Sequence, residues 1–131
     1  MSKIGVIFAL VRDNKVLMQQ RDAHSKTYPF SWCIPGGGSD DGEDYTDTLI
    51  REVTEEYSID LTLDQCSFLM DYDNGRANKV YVCRINPNQE PILHEGLAMK
   101  WMSIEEVEAL ELGFNQKGIV PVLKKALAAV F

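Results

Sequence analysis

The sequence predicts an α/β protein: an α/β/α sandwich with a mixed β-sheet between helices. Three observations carry that expectation. Two pairs of apolar runs each surround a short polar turn, one near the N-terminus and one around Asn74-Gly75. Between them, Glu43 to Tyr57 carries its apolar residues at helical spacing. After the second pair come a loop and one last short strand, Met99 to Met102, and from Ser103 the pattern is helical towards the C-terminus.

Taken in order, Lys3 to Arg12 and Val16 to Arg21 flank Asp13-Asn14-Lys15 and read as a hairpin. Asp22 to Ser31 is a polar loop. Trp32-Cys33-Ile34 is a short strand, ended by Pro35 and the glycines that follow it. In the helix Glu43 to Tyr57, the residues Tyr45, Leu49, Ile50, Val53 and Tyr57 form an apolar arc beside the carboxylates. One face can therefore dock on a sheet while another points into a cleft. Ser67 to Asp73 and Asn78 to Ile85 form the second hairpin, and Asn86 to Pro91 is a loop. Met99 to Met102 is the last strand. Ser103 with Glu106 is a capping box that starts a helix over Ile104 to Leu110. Gly113 separates this from a final helix over Gln116 to Phe131. The chain is expected to be one domain, residues 1–131, with no repeats, low-complexity tracts or linkers.

Composition narrows the partners. A net charge of −7 argues against a nucleic-acid polymer, whose binders present basic patches. It is compatible with a small phosphorylated ligand when divalent cations sit between the charges. Cys33, Cys66 and Cys83 are odd in number and make no Cys-x-x-Cys pair, so they read as free thiols in a reducing cytosol. The run Ile4 to Val11 is apolar but short and reaches Arg12-Asp13 at once, which fits a buried strand rather than a signal peptide or a membrane span. A cytoplasmic protein without membrane attachment is the expectation. Monomer and homodimer are left open.

The chemistry concentrates between residues 36 and 59. Gly36-Gly37-Gly38 and Gly42 precede a helix on which Glu52, Glu55 and Glu56 stand at i, i+3 and i+4. Those offsets bring the three carboxylates together on one helix surface, where they repel. Oxygen-rich clusters of this kind suit hard cations such as Mg²⁺, Mn²⁺ or Ca²⁺. The glycines are expected to wrap a loop closely about the site, using positive φ. Arg51 lies four residues before Glu55, in reach of an ion pair, whereas Glu43 and Arg51 are not neighbours by helix spacing.

The pattern Gly37-x5-Glu43-x7-Arg51-Glu52-Val53-x-Glu55-Glu56-x-Ser58-Ile59 resembles the Nudix box, the signature of the Nudix hydrolases. It departs at one position, Ser58, where the family has glycine. In the left-handed conformation serine costs about 1 kcal/mol there. The resemblance implies a Nudix-type sandwich and hydrolysis of a nucleoside diphosphate linked to another moiety, with Mg²⁺ or Mn²⁺ as cofactor. It implies metal ligation by Glu52, Glu55, Glu56 and the Gly36 carbonyl, and an orienting role for Glu43 and Arg51. It also points to Glu95, six residues before Trp101, as a further ligand or base, so that Glu52 and Glu95 are both candidates for the general base. Arg21 is the candidate phosphate holder and Asn115 a candidate base reader. Phe30, Trp32, Tyr72, Tyr81 and Phe114 are either core or a stacking platform. His94 reads as a lone exposed histidine. A nucleoside triphosphate is the favoured substrate, and a nucleotide sugar or ADP-ribose is the alternative. A non-catalytic nucleotide-binding module is the reading from another class, set against the presence of all three box glutamates.

Overall fold

The computed structural model describes residues 3–129. Seven strands form one mixed sheet: β1 (Ile4–Arg12), β2 (Lys15–Gln20), β3 (Trp32–Cys33), β4 (Gly36–Gly38), β5 (Cys66–Asp73), β6 (Ala77–Arg84) and β7 (Ala98–Met102). The helices are α1 (Tyr45–Tyr57), α2 (Ile104–Glu108) and α3 (Val120–Ala128). β1 and β6 run parallel, in register from Ile4↔Ala77 to Val11↔Arg84, and the other pairings are antiparallel.

β1 sits in the middle because both of its faces are apolar. Val6, Phe8 and Leu10 pack with Leu49, Val53 and Tyr57 of α1. The alternate residues Ile7, Ala9 and Val11 pack with Val120, Leu123 and Leu127 of α3. A period-2 strand thus feeds two cores, and the sheet lies between helical layers as expected. The first hairpin closes through Asp13 and Asn14, both at positive φ as a two-residue turn requires. Asp44 caps α1 through a reciprocal capping box with Asp47, so the helix begins two residues after Glu43.

Two expectations need correcting. Gly36–Gly38 is not a loop. It is a strand in register with β1 (Ile7↔Gly36, Val6↔Gly37, Gly5↔Gly38), and of the box glycines only Gly42 takes positive φ, 83°. The close approach is nevertheless there: a Cβ on Gly36 would lie 2.3 Å from the Val6 carbonyl oxygen. The final helix does not start at Gln116. Phe114 and Asn115 take positive φ, 58° and 56°, so only 3-10 turns run over Gly113–Ile119 before α3 begins. Its predicted end at Phe131 lies outside the described residues.

Candidate active site

Arg51 organises one half of the site. Its Nε donates to Glu43 at 2.7 Å and its Nη2 donates to Glu43 at 2.9 Å and to the Gly38 carbonyl at 2.9 Å. Its Nη1 donates to Glu52 and to Glu55, each at 3.1 Å. All five guanidinium N–H groups are thereby used. Glu43 reaches Arg51 because it precedes the helix and folds back over it, which helix spacing cannot show. It also accepts from the Asp40 amide and the Thr48 hydroxyl. The Arg51 bond is the main reason its carboxyl falls to about 2, and the same bond raises the Arg51 guanidinium.

Gly37 makes room for Glu52. A Cβ there would sit 2.2–2.4 Å from the Glu52 carboxylate, and Glu52 as a residue is only 8% exposed. Burial raises the Glu52 pKa against the pull of Arg51.

The other half has no such cation. Glu56 is raised to about 7, first by burial and then by the charges of Glu95, Glu52 and Glu55. Among the described residues no lysine, arginine or histidine forms an ion pair with Glu56 or Glu95. Both line a cavity of about 400 Å³ together with Gly36, Gly37, Arg21, Arg76 and Phe114. A larger hollow of about 710 Å³ at the far end of β1, around Arg12, Arg84 and Lys124, contains none of the box residues.

Each site residue of the sequence reading can now be placed. Glu56, Glu95, Gly36 and Arg21 share the cavity. Glu43, Glu52 and Glu55 gather on Arg51 beside it. Asn115 is exposed and does not line the cavity, although its neighbours Phe114 and Gln116 do. Arg21 donates to the Thr27 carbonyl at 2.8 Å and lies 4.6 Å over the Phe114 ring.

Sequence reasoning missed Arg76 and Gln116. Arg76 follows the second hairpin turn and enters the cavity because Gly5 has no side chain to block it; a Cβ on Gly5 would meet Arg76 Nε at 2.2 Å. Burial lowers its guanidinium pKa. Gln116 is 2% exposed and clamps the Ile34 backbone, accepting from its amide at 2.7 Å and donating to its carbonyl at 2.9 Å. No sequence signal marked Arg76, because its approach to Gly5 is a non-local contact.

The donor set is hard and anionic, so it fits a divalent cation. Among the described residues no three acid, histidine or cysteine side chains already converge as a metal cage. The reason is visible: Glu52 and Glu55 lean on Arg51.

A family model for the NUDIX domain matches residues 1–123. The chain belongs to the NUDIX domain family. By class it is a Nudix pyrophosphohydrolase. It is 36% identical to an RNA pyrophosphohydrolase of Pelagibacter ubique, over 86% of this chain and 82% of that one. It is 31% identical to nucleoside diphosphate-linked moiety X motif 6 of Xenopus laevis over 80% of its own length, and spans about half, 52%, of that longer protein. Its fold matches the NUDIX domain of Shewanella oneidensis NrtR, solved with ADP ribose, with a TM-score of 0.74 at 20% identity, covering 97% of this chain and 89% of that one. No helix among the described residues is long and apolar enough to cross a membrane.

Proposed function

We propose that this protein hydrolyses a phosphoanhydride bond in a small nucleotide, most simply a nucleoside triphosphate, with the help of Mg²⁺ or Mn²⁺. The observation that carries the reading is the charge arrangement of one cavity. Among the described residues Glu56 and Glu95 form no ion pair, and they line the cavity together with Arg21 and Arg76. A polyphosphate chain offers anionic oxygens to the arginines and, through divalent cations, to the carboxylates.

Glu56, Glu95 and Glu52 are the side chains we assign to the metal, with the Gly36 carbonyl beside them. Glu55 joins this set if it leaves Arg51. Bound there, the cation supplies charge neutralisation to the phosphate oxygens and acidity to the attacking water. Arg51 and Glu43 hold the start of the acidic face in place. Arg21 and Arg76 steady phosphate oxygens. Glu52 and Glu95 both remain as groups to take the proton of the attacking water, and no covalent enzyme intermediate is required. Phe114 lines the cavity with Arg21 over its ring and the Tyr28 ring 5.0 Å away, an aromatic corner that suits a nucleobase. Asn115 is kept as a base-reading residue only if its loop turns inward on binding. The free thiols suit a cytoplasmic setting. A single domain acting as monomer or homodimer is our working arrangement.

A second reading follows from the Pelagibacter relative: the anhydride of a triphosphorylated RNA end. The net charge of −7 weighs against it, since longer RNA brings many more phosphates to an acidic surface. An ADP-ribose or nucleotide-sugar substrate stays as the alternative within the enzyme class. A panel of canonical and oxidised nucleoside triphosphates, nucleotide sugars, ADP-ribose, dinucleoside polyphosphates and a 5′-triphosphorylated RNA oligomer, assayed with Mg²⁺ or Mn²⁺, separates these. Highest kcat/KM on a free triphosphate supports the first reading, and highest on the oligomer replaces it. No turnover on any member by folded protein moves the assignment to a binding module.

A further inference from the structure

The segment between β6 and β7 carries Glu95 and has no regular structure of its own, yet it is fastened to the end of α1. The Ile92 amide donates to the Tyr57 carbonyl at 2.9 Å, and the His94 amide to the Glu56 carbonyl at 3.2 Å. These carbonyls belong to the last turn of the helix, where no intrahelical partner exists. Gln19 holds the Glu95 carbonyl at 3.3 Å, and the Leu97 amide donates to the Gln20 carbonyl at 2.9 Å.

One further bond uses side chains alone. Ser58 Oγ and His94 Nε2 lie 2.6 Å apart. Ser58 is the C-cap of α1 at φ 54° and ψ 38°, a left-handed conformation that glycine adopts freely and serine does not. It is also the one position at which the chain departs from the box. A glycine there relieves the backbone but has no hydroxyl to offer His94.

We propose that Ser58 and His94 are a positioning pair. Their bond holds the segment so that the Glu95 carboxylate stays at the cavity beside Glu56, and the serine keeps this anchor at the expense of backbone ease. This rests on the hydrolytic reading given above. Neither residue touches the reacting atoms; both act through Glu95.

The variant Ser58→Gly separates this from a merely structural role, because the two accounts move stability and turnover differently. Positioning predicts that the thermal midpoint holds or rises while kcat falls roughly 3- to 10-fold, the scale of one lost hydrogen bond, and KM shifts by less than about twofold. His94→Ala reproduces the kcat loss, and the double variant loses no more than either single one. In a Glu95→Gln background Ser58→Gly has no further effect. Hydrogen exchange gives a readout free of substrate: the His94 and Leu97 amides exchange faster in Ser58→Gly while those of Leu49 and Val53 do not. Wild-type kcat in Ser58→Gly, or an undiminished loss in the Glu95→Gln background, overturns the proposal. If the wild-type protein hydrolyses nothing on the panel, it is the hydrolytic reading that fails. Unchanged exchange at Leu97 then overturns the anchor as well, and faster exchange leaves it standing as the device that holds the segment.

Discussion

Glu43 and Glu56 lie at the two ends of one acidic surface and are treated in opposite ways. Glu43 is held by Nε and Nη2 of Arg51, and its carboxyl is lowered to about 2. Glu56, on the last turn of α1, is half-buried among Glu95, Glu52 and Glu55, and is raised to about 7. Where the protein supplies its own cation, carboxylates build structure. Where it does not, the same residue type remains available to bind a cation from solution. Spacing alone makes Glu52, Glu55 and Glu56 equivalent; their neighbours do not.

The strongest way to break this comparison is on the Glu56 side. Glu95→Gln is expected to lower kcat roughly 100-fold, whereas Glu90→Gln removes only an exposed ion pair with Arg12 and leaves turnover near wild type. Equal small effects in steady-state assays return Glu95 to the surface.

On the Arg51 side the expected loss is in stability. Arg51→Ala leaves Glu43, Glu52 and Glu55 without their shared donor and costs about 2 kcal/mol in urea unfolding, below the range for a fully buried pair because the site is partly solvated. A change under about 0.5 kcal/mol places Arg51 among ordinary surface charges.

The two glycines of β4 sharpen the boundary between the halves. Gly36→Ala meets the Val6 main chain and is expected to cost about 1–3 kcal/mol. Gly37→Ala first meets the end of the Glu52 side chain, so it is expected to displace that carboxylate, lower turnover about 10-fold and cost less than about 1 kcal/mol. Reversed rankings of unfolding midpoints contradict the packing described here.

The smallest effect is in pH dependence. The Glu43 pKa is depressed, so its stabilisation is present above the unfolded value of about 4.3 and is lost as pH falls through about 2. The Glu56 pKa is raised, so the metal-free protein loses stability as pH rises from about 4.3 towards 7, by order 1 kcal/mol after solvent screening. Carboxyl NMR titration checks both signs. Adding Mg²⁺ is expected to lower the Glu56 midpoint and leave Glu43 in place.

Local patterns were legible in the sequence. Asp13-Asn14 and Asn74-Gly75 marked their hairpins, Ser103 with Glu106 marked a helix start, and the apolar run Ile4 to Val11 marked a buried strand. What failed was non-local. Three successive glycines have no strand propensity, and Gly36–Gly38 becomes a strand only because β1 offers an open edge there. The Glu43–Arg51 contact was hidden because Glu43 stands outside the helix. Arg76 gave no signal until Gly5 was seen beneath it. Ser58 was flagged as a left-handed serine, and that conformation is observed, but its partner His94 lies far along the chain.

The measurement that bears most directly on the account is Mg²⁺-dependent hydrolysis of the best panel substrate by the wild-type protein and by Glu56→Gln, with thermal midpoints recorded for both. The variant is expected to lose roughly 100-fold or more in kcat while its metal-free midpoint is unchanged or higher, because a repulsive charge has been removed. Near-wild-type turnover by a folded Glu56→Gln protein would contradict it.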